Sequence, residues 1–378
     1  MRFAGFDEEW EEKKFKDITK LSQGLQIPIE DRYLQPSNDT YFYITNEFLK
    51  PGSKQHYYIK NPNKSVIANK DDILMTRTGN TGKVLTDVEG AFHNNFFKIA
   101  YDNGSISKYY LFYLLNTEVI QNKILALAGS STILDLNHKD FYSIASSFPP
   151  LIEQAKIGGL FRKIDALIEK QEGKFSKMED FKKSMLQKMF PKKGELVPDF
   201  RFEDFDGDWE IKKIHEIASV KTGKSDTQDS VEDGEYPFYI RSDTPVKSSK
   251  YLYDEEAVLT IGDGQIGKVF FYVNGKYDLH QRVYRIFDFT SEVDTKYFYH
   301  YFSKYFLRRA MRLSAKGTVD SVRMEMITGM EIKLPKKIEE QIKIRNILEN
   351  LDTQIETEEK LLESYKQMKK SLLQKMFV

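Results

Sequence analysis

Lys182-Lys183-Ser184-Met185-Leu186-Gln187-Lys188-Met189-Phe190 returns 187 residues later as Lys369-Lys370-Ser371-Leu372-Leu373-Gln374-Lys375-Met376-Phe377. Such a match is beyond chance composition, and its spacing is close to half of the 378-residue chain. The chain is therefore an internal duplication. Upstream, Arg2-Phe3-x-x-Phe6-Asp7-x-x-Trp10-Glu11-x-Lys13-Lys14 recurs as Arg201-Phe202-x-x-Phe205-Asp206-x-x-Trp209-Glu210-x-Lys212-Lys213, offset by 199. Between these ends, Gly79-Asn80-Thr81-Gly82-Lys83-Val84 matches Gly264-Gln265-Ile266-Gly267-Lys268-Val269 at offset 185, and His93 and Ile99 match His280 and Ile286 at offset 187. The first part of each copy keeps only such anchors, whereas the last part keeps register and sequence.

The conserved parts predict long helices. After Pro149-Pro150, positions 164, 168, 171, 175, 178, 182, 185 and 189 step by three and four, a heptad-like seam of Ile164, Ile168, Gln171, Phe175, Met178, Lys182, Met185 and Met189. The second copy places Leu351, Ile355, Glu358, Leu362, Tyr365, Lys369, Leu372 and Met376 at the same steps. Each helix would run about 39 residues, roughly 58 Å. Gly158, Gly159 and Gly173 each lower helicity by about 1 kcal/mol, and polar residues interrupt the seam. Pairing of the two helices, antiparallel within one chain, is the natural remedy; packing of each on its own domain is the alternative that periodicity leaves open. Pro191-Lys192-Lys193-Gly194 and Val197-Pro198-Asp199 form the hinge into the second copy.

The variable parts read as mixed, with strands at Tyr41–Ile44, Ile73–Met75, Phe96–Ile99, Tyr236–Ile240, Ala257–Ile261, Val269–Val273 and Arg282–Ile286, and helices over 108–127 and 295–313. The expected class is α+β: two globular mixed α/β domains, 1–149 and 200–335, joined by long antiparallel, coiled-coil-like helices in 150–199 (with a linker) and 336–378, with pseudo-two-fold symmetry.

Composition narrows function. There is no cysteine, which excludes disulfide stapling, thiolate zinc sites and a cysteine nucleophile. No apolar run approaches 18 residues and the start lacks a signal-like segment, so a soluble, cytoplasmic protein without a membrane is expected. The 57 basic and 57 acidic residues cancel, and residues 1–147, 148–199, 200–335 and 336–378 carry −1, +3, −3 and +1. No segment is a polycation, so any grip on nucleic acid must come from charge sorted onto faces or from a partner that shares the contact.

Catalytic motifs are incomplete. Gly262-x-x-x-x-Gly267-Lys268 approaches a phosphate-binding P-loop, but Val269 lacks the hydroxyl for Mg²⁺ and strand-like residues follow, so a turn between strands explains it better. Asp7-x-x-x-Glu11-x-Lys13 and Asp206-x-x-x-Glu210-x-Lys212 imitate a nuclease carboxylate cluster; acidic turns beside a packed Trp are the plainer reading. Zinc-type His spacing, a Gly-x-Ser-x-Gly elbow, an Asn-Pro-Pro-Tyr motif and a glycine-rich S-adenosylmethionine site are missing from the sequence. No catalytic, cofactor or metal residue is assigned.

Polar loops in matched positions remain. In copy one these hold Arg77, Thr78, Asn80, Thr81, Lys83, His93, Asn94, Asn95, Ser130 and Ser131. In copy two they hold Arg241, Asp263, Gln265, Lys268, His280, Gln281, Arg282, Lys316 and Thr318. Asn, Gln and Arg can read base edges by paired hydrogen bonds, whereas Lys, Ser, Thr and free backbone N–H groups mostly hold phosphates. Occurring twice, the set marks candidate DNA-contacting loops.

The whole arrangement resembles the specificity subunit of type I restriction-modification systems. The likeness rests on the Arg-Phe-x-x-Phe-x-x-x-Trp-Glu starts, the Gly-x-x-Gly-Lys turns and His280-Gln281-Arg282-Val283-Tyr284. It extends to the Glu-Gln pairs at Glu153-Gln154 and Glu340-Gln341 and the Lys-Lys-Ser-x-Leu-Gln-Lys-Met-Phe helix ends. The resemblance implies two target-recognition domains, each reading half of a bipartite double-stranded DNA site, and a helical spacer that sets their separation. It also implies two methyltransferase subunits carrying S-adenosylmethionine, and motor-nuclease subunits carrying ATP and Mg²⁺, with no cofactor on this chain. A specificity subunit for a type II enzyme with fused methylation and cleavage subunits, and a coiled-coil scaffold or adhesin indifferent to DNA, are the other readings.

Overall fold

The structure, a computed structural model, describes all residues except Pro51, Lys54, 130–133, 314–320 and Val378. The chain divides into two compact units, Met1–Glu172 with Lys360–Val378, and Gly173–Glu359.

In the first unit, strand Glu11–Lys14 pairs antiparallel with Ala145–Phe148, joining the start of the globular part to its end. One four-stranded sheet runs Thr19–Gln23, Phe96–Tyr101, Ile73–Thr76, Val84–Leu85; the other runs Tyr57–Lys60, Thr40–Ile44, Gly90–Phe92, Ile67–Ala68. The helix expected over 108–127 is two helices, Lys108–Leu115 and Glu118–Leu127. Thr117 starts the second: its hydroxyl oxygen accepts from the Ile120 N–H and its O–H donates to Leu114 O at 2.7 Å, so the cap outcompetes a continuous turn.

In the second unit, Glu210–Lys213 pairs antiparallel with Glu331–Leu334, the same closure as in copy one. The main sheet has six strands in the order Ser219–Thr222, Val283–Phe287, Tyr253–Ile261, Phe270–Leu279, Tyr236–Tyr239, Val246–Ser248. Phe270–Leu279 pairs antiparallel with Tyr253–Ile261 and, at its end, parallel with Tyr236–Tyr239. In copy one those two roles fall to separate strands, Val84–Leu85 and Gly90–Phe92. The interruption lies at Asp87 and Gly90, both with positive φ, and Gly90 has no room for a side chain because a Cβ would stand 2.4 Å from Phe42 O. Helix Thr295–Leu313 covers the sheet, its Phe298, Phe302 and Phe306 fully buried at i, i+4, i+8. Phe270–Leu279 follows the glycine turn directly, so Gly262–Lys268 links two strands, as the turn reading expected.

The two long helices are Leu151–Lys188 and Ile338–Met376. Each begins on its own globular part: Ile157 and Phe161 lie in the core with Tyr110 and Phe148, while Ile344 and Leu348 lie with Tyr297 and Ile332. Gly158, counted above only as a loss of helicity, permits close approach, since a Cβ there would stand 2.7 Å from the Tyr110 nitrogen. The helices also pack on each other antiparallel within each unit. In the first, Asp165 meets Lys369 at 2.5 Å and Glu172 meets Lys366 at 2.7 Å. In the second, Lys174 meets Glu358 at 2.6 Å and Lys182 pairs with Asp352.

Helix ends complete the opposite copy's core. Met189 and Phe190, at the end of copy one, are fully buried in the second unit, Phe190 against the rings of Tyr297, Tyr301 and Tyr305. Met376 and Phe377, at the end of copy two, are buried in the first unit, Phe377 against Tyr110 and Phe161. Of the seam residues named for pairing, Ile164, Leu351 and Leu362 are buried; Ile168, Phe175, Met178, Met185, Ile355, Tyr365 and Leu372 are half-buried.

Candidate nucleic-acid interface

The repeated start and Glu-Gln motifs are structural anchors. Glu153, fully buried at the first long helix, accepts two hydrogen bonds at 2.8 Å from the Arg2 guanidinium. Glu340 does the same for Arg201 at 2.9 and 3.0 Å. The neighbouring glutamines stitch the loop before the helix: Gln154 donates to Pro149 O and accepts from the Ser107 N–H, as Gln341 donates to Pro335 O and accepts from the Asp294 N–H. Trp209 is buried edge-on to Tyr297, and Trp10 meets Tyr110 likewise.

At one end of each main sheet the predicted loops converge. The Arg77 N–H donates to Asn95 O at 2.7 Å, tying the glycine turn to the histidine turn; the Gly262 N–H donates to Arg282 O at 2.7 Å in copy two. A third segment joins them, with the Leu136 N–H donating to Arg77 O at 2.9 Å and the Val322 N–H to Gly262 O at 2.7 Å. A fourth lies under the histidine turn: the Asn94 N–H donates to Leu25 O and the Gln281 N–H to Ser225 O. Gly24 and Gly223 make that approach possible, because a Cβ would stand 2.1 Å from Phe92 O or Leu279 O.

Within this frame the candidate residues divide. His93 and His280 build the turn: each Nδ1 accepts the backbone N–H two residues on, of Asn95 at 3.1 Å and of Arg282 at 2.9 Å. Burial, helped by Arg32 for His93 and by Arg241 for His280, lowers both pKa values, which favours the neutral ring that accepting requires. Arg77 is committed to Asp135 at 2.7 Å and lies over the Phe97 ring. Thr81 donates to Leu134 O, and the Thr78 carbonyl accepts from Asn46. Asn94 is half-buried against Gln26, and Asn95 is half-buried too. Asp263 faces Arg241 at 3.4 Å. Exposed side chains at this end are Asn80 and Lys83 in copy one, and Arg241, Gln265, Lys268, Gln281 and Arg282 in copy two. Ser130, Ser131, Lys316 and Thr318 lie outside the described residues.

The nuclease-like carboxylates stand apart from this end. Glu11 and Glu210 are exposed on their strands, with Lys13 and Lys212 as ion-pair partners, and Lys212 also meets Glu292 at 2.5 Å. Among the described residues no group of three or more His, Asp or Glu side chains could hold a metal, and no helix is long and apolar enough to cross a membrane.

Several neighbours escaped sequence reading. Asn46, which donates to Thr78 O and Gly79 O, follows its strand as Arg241 follows its own; aligning those strands would have found it. Gln26 and Asp226 grip Asn94 and Gln281, and Gly24 and Gly223 share the offset of 199 already seen at the domain starts. A cationic groove of about 720 Å³ in the second unit, lined by Lys192, Lys193, Lys304, Arg308, Arg309 and Arg312, was also missed. Arg308 and Arg312, four residues apart on one helix, meet no carboxylate among the described residues. Burial pushes the Lys304 ammonium down to about 8.

Comparison with known proteins agrees with this architecture. Residues 7–177 and 206–367 match the family described as Type I restriction modification DNA specificity domain. The chain is 25% identical over 395 aligned positions to the type I restriction enzyme MjaVIII specificity subunit of Methanocaldococcus jannaschii, covering 97% of this chain and 91% of that one. A 170-residue stretch, 44% of this chain and 36% of the relative, is 26% identical to the EcoDI specificity subunit of Escherichia coli. The fold is similar to the crystal structure of a type I restriction-modification S subunit from M. genitalium, with a TM-score of 0.71 at 17% identity, covering 100% of this chain and 97% of that one. With both copies matched and both built on one plan, the chain belongs to the type I restriction-modification DNA specificity family, as a non-catalytic specificity subunit without a cofactor of its own.

Proposed function

We propose that residues 1–149 and 200–335 are two target-recognition domains, each reading one half of a bipartite double-stranded DNA site. The helices in 150–199 and 336–378 set the half-site spacing and dock two methyltransferase subunits, which bring S-adenosylmethionine; motor-nuclease subunits bring ATP and Mg²⁺. One observation carries the reading: the same four-segment end is built twice with the same backbone bonds, while its exposed side chains differ. Asn80 and Lys83 are presented in one copy; Gln265, Lys268, Gln281 and Arg282 in the other. A shared frame with different tips suits two readers of different bases. His93 and His280 shape the tips, and Arg308 and Arg312 hold phosphates. Zero net charge implies weak binding by this chain alone, with phosphate contacts shared by the methyltransferases.

The test is co-expression with the methyltransferase and mapping of methylated adenines across a genome. Replacing Gln281 and Arg282 together by Ala relaxes one half-site. Equal loss at both half-sites refutes two independent readers.

A further inference from the structure

An exposed glutamine ordinarily rotates freely, and its amide can present either end to a ligand. Gln281 is exposed, yet it is held at both backbone and side chain. Its N–H donates to Ser225 O at 2.9 Å, and its Nε2 donates to Asp226 Oδ2 at 2.6 Å. Asp226 is itself immobilised: its Oδ1 accepts the Thr227 N–H at 2.7 Å, and its own N–H donates to Asp229 Oδ2 at 2.8 Å. Beneath it, the fully buried Asp278 accepts hydrogen bonds from the Ser225 and Ser248 hydroxyls at 2.7 and 2.9 Å. The side chain is thus seated on a rigid chain of bonds that reaches the core.

The chemistry of that seat dictates direction. An ionised carboxylate only accepts, so the Gln281 nitrogen must face Asp226. What remains for a ligand is one acceptor, Oε1, beside one N–H. In the major groove adenine offers the complement, the N6 donor beside the N7 acceptor, whereas guanine offers two acceptors. Copy one lacks this device: Asn94 meets Gln26, another amide, at 3.1 Å, and amide against amide imposes no direction.

We propose that Asp226 is a positioning residue that locks the Gln281 amide so that it reads an adenine in the half-site bound by residues 200–335. The proposal rests on the half-site reading above. Pre-ordering the side chain removes the entropy loss of fixing it on binding and excludes the flipped amide that would accept other bases.

The experiment uses the complex of this chain with its methyltransferase, as wild type, Gln281→Ala and Asp226→Asn. Methylated motifs are mapped, and binding is measured on duplexes carrying each base at each half-site position. Gln281→Ala is expected to relax one position, and that position holds an adenine on one strand in the wild-type motif. Asp226→Asn, which can face Gln281 with either end of its amide, relaxes the same position and leaves the other half-site unchanged. The loss of discrimination is roughly 5- to 150-fold. If Gln281→Ala relaxes no position, the reading of Gln281 as a base contact fails. If the relaxed position holds no adenine, the orientation argument is overturned while that contact stands. If it holds adenine but Asp226→Asn keeps full discrimination, Asp226 has no such role. The base identity at the Gln281 position decides the matter even where Asp226→Asn does not fold.

Discussion

Replacing Glu340 by Ala tests whether the repeated Arg and Glu-Gln motifs act as clamps. The Glu340 side chain is 2% exposed and holds Arg201, which is 13% exposed. The remaining Arg201 donors reach the Gly207 and Asp206 carbonyls. Removing Glu340 strands a nearly buried guanidinium, and breaking a buried pair from one side costs about 3–5 kcal/mol. The two carbonyl acceptors that stay in place put this case at the lower end, about 3 kcal/mol. For a unit of the size of Gly173–Glu359 each kcal/mol lowers Tm by about 2–4 °C, so a fall of about 6–12 °C is expected in that unit's transition. Differential scanning calorimetry reads it, with the other unit's transition as internal control. Replacing Arg201 and Glu340 together by Met should cost less than the sum of the single changes, because no charge is left unpaired. A fall below about 3 °C, or a double variant as unstable as that sum, refutes the clamp.

Phe190→Ala should destabilise the Gly173–Glu359 unit by about 3–5 kcal/mol, although Phe190 ends copy one; calorimetry showing the loss in the other unit would contradict the packing. Burial pushes the His300 imidazole down to about 4. Since an unfolded His titrates near 6.5, the unfolded chain binds the extra proton and stability drops as pH falls from about 6.5 toward 4, by about 2 kcal/mol at pH 5. His300→Leu should flatten that part of the Tm-against-pH curve, and an unchanged curve counts against the burial effect. For the complex bound to DNA, Arg308→Ala with Arg312→Ala should reduce the slope of log K against log salt by about 2 without changing the motif; a changed motif would make these base contacts. Inserting four residues in each long helix, at Gly173 and at the matching Lys360, adds about 6 Å of helix. The gap in the methylated motif should then widen by about two base pairs; an unmoved gap in an active complex defeats the spacer role.

Sheet strands and long helices were legible because each carries a local period: runs such as Phe96-Phe97-Lys98-Ile99, and three-and-four spacing along 164–189. The helix expected over 108–127 failed at one threonine, where a side-chain cap decided against an otherwise apolar pattern. In the candidate interface, the glycine and histidine turns were found because duplication marked them twice. Their division of labour was not: His280 and Arg77 look like contact residues in a string of letters, yet His280 Nδ1 accepts from the Arg282 N–H and the Arg77 guanidinium pairs with Asp135. Arg308 and Arg312 were overlooked because a helix face shows its solvent side only once its other faces are packed.

What the amino-acid order determined by itself was the duplication, the strand and helix identities and the absence of a complete catalytic motif, all properties of residues near one another or repeated at a fixed offset. Tertiary structure alone decided that Phe190 closes the core built by copy two and Phe377 the core built by copy one. It alone decided that Glu153 and Glu340 hold arginines more than a hundred residues away, and that Asp226 aims Gln281. Those outcomes depend on hydrogen bonds and packing between segments far apart in the chain, where no period or spacing records the partner.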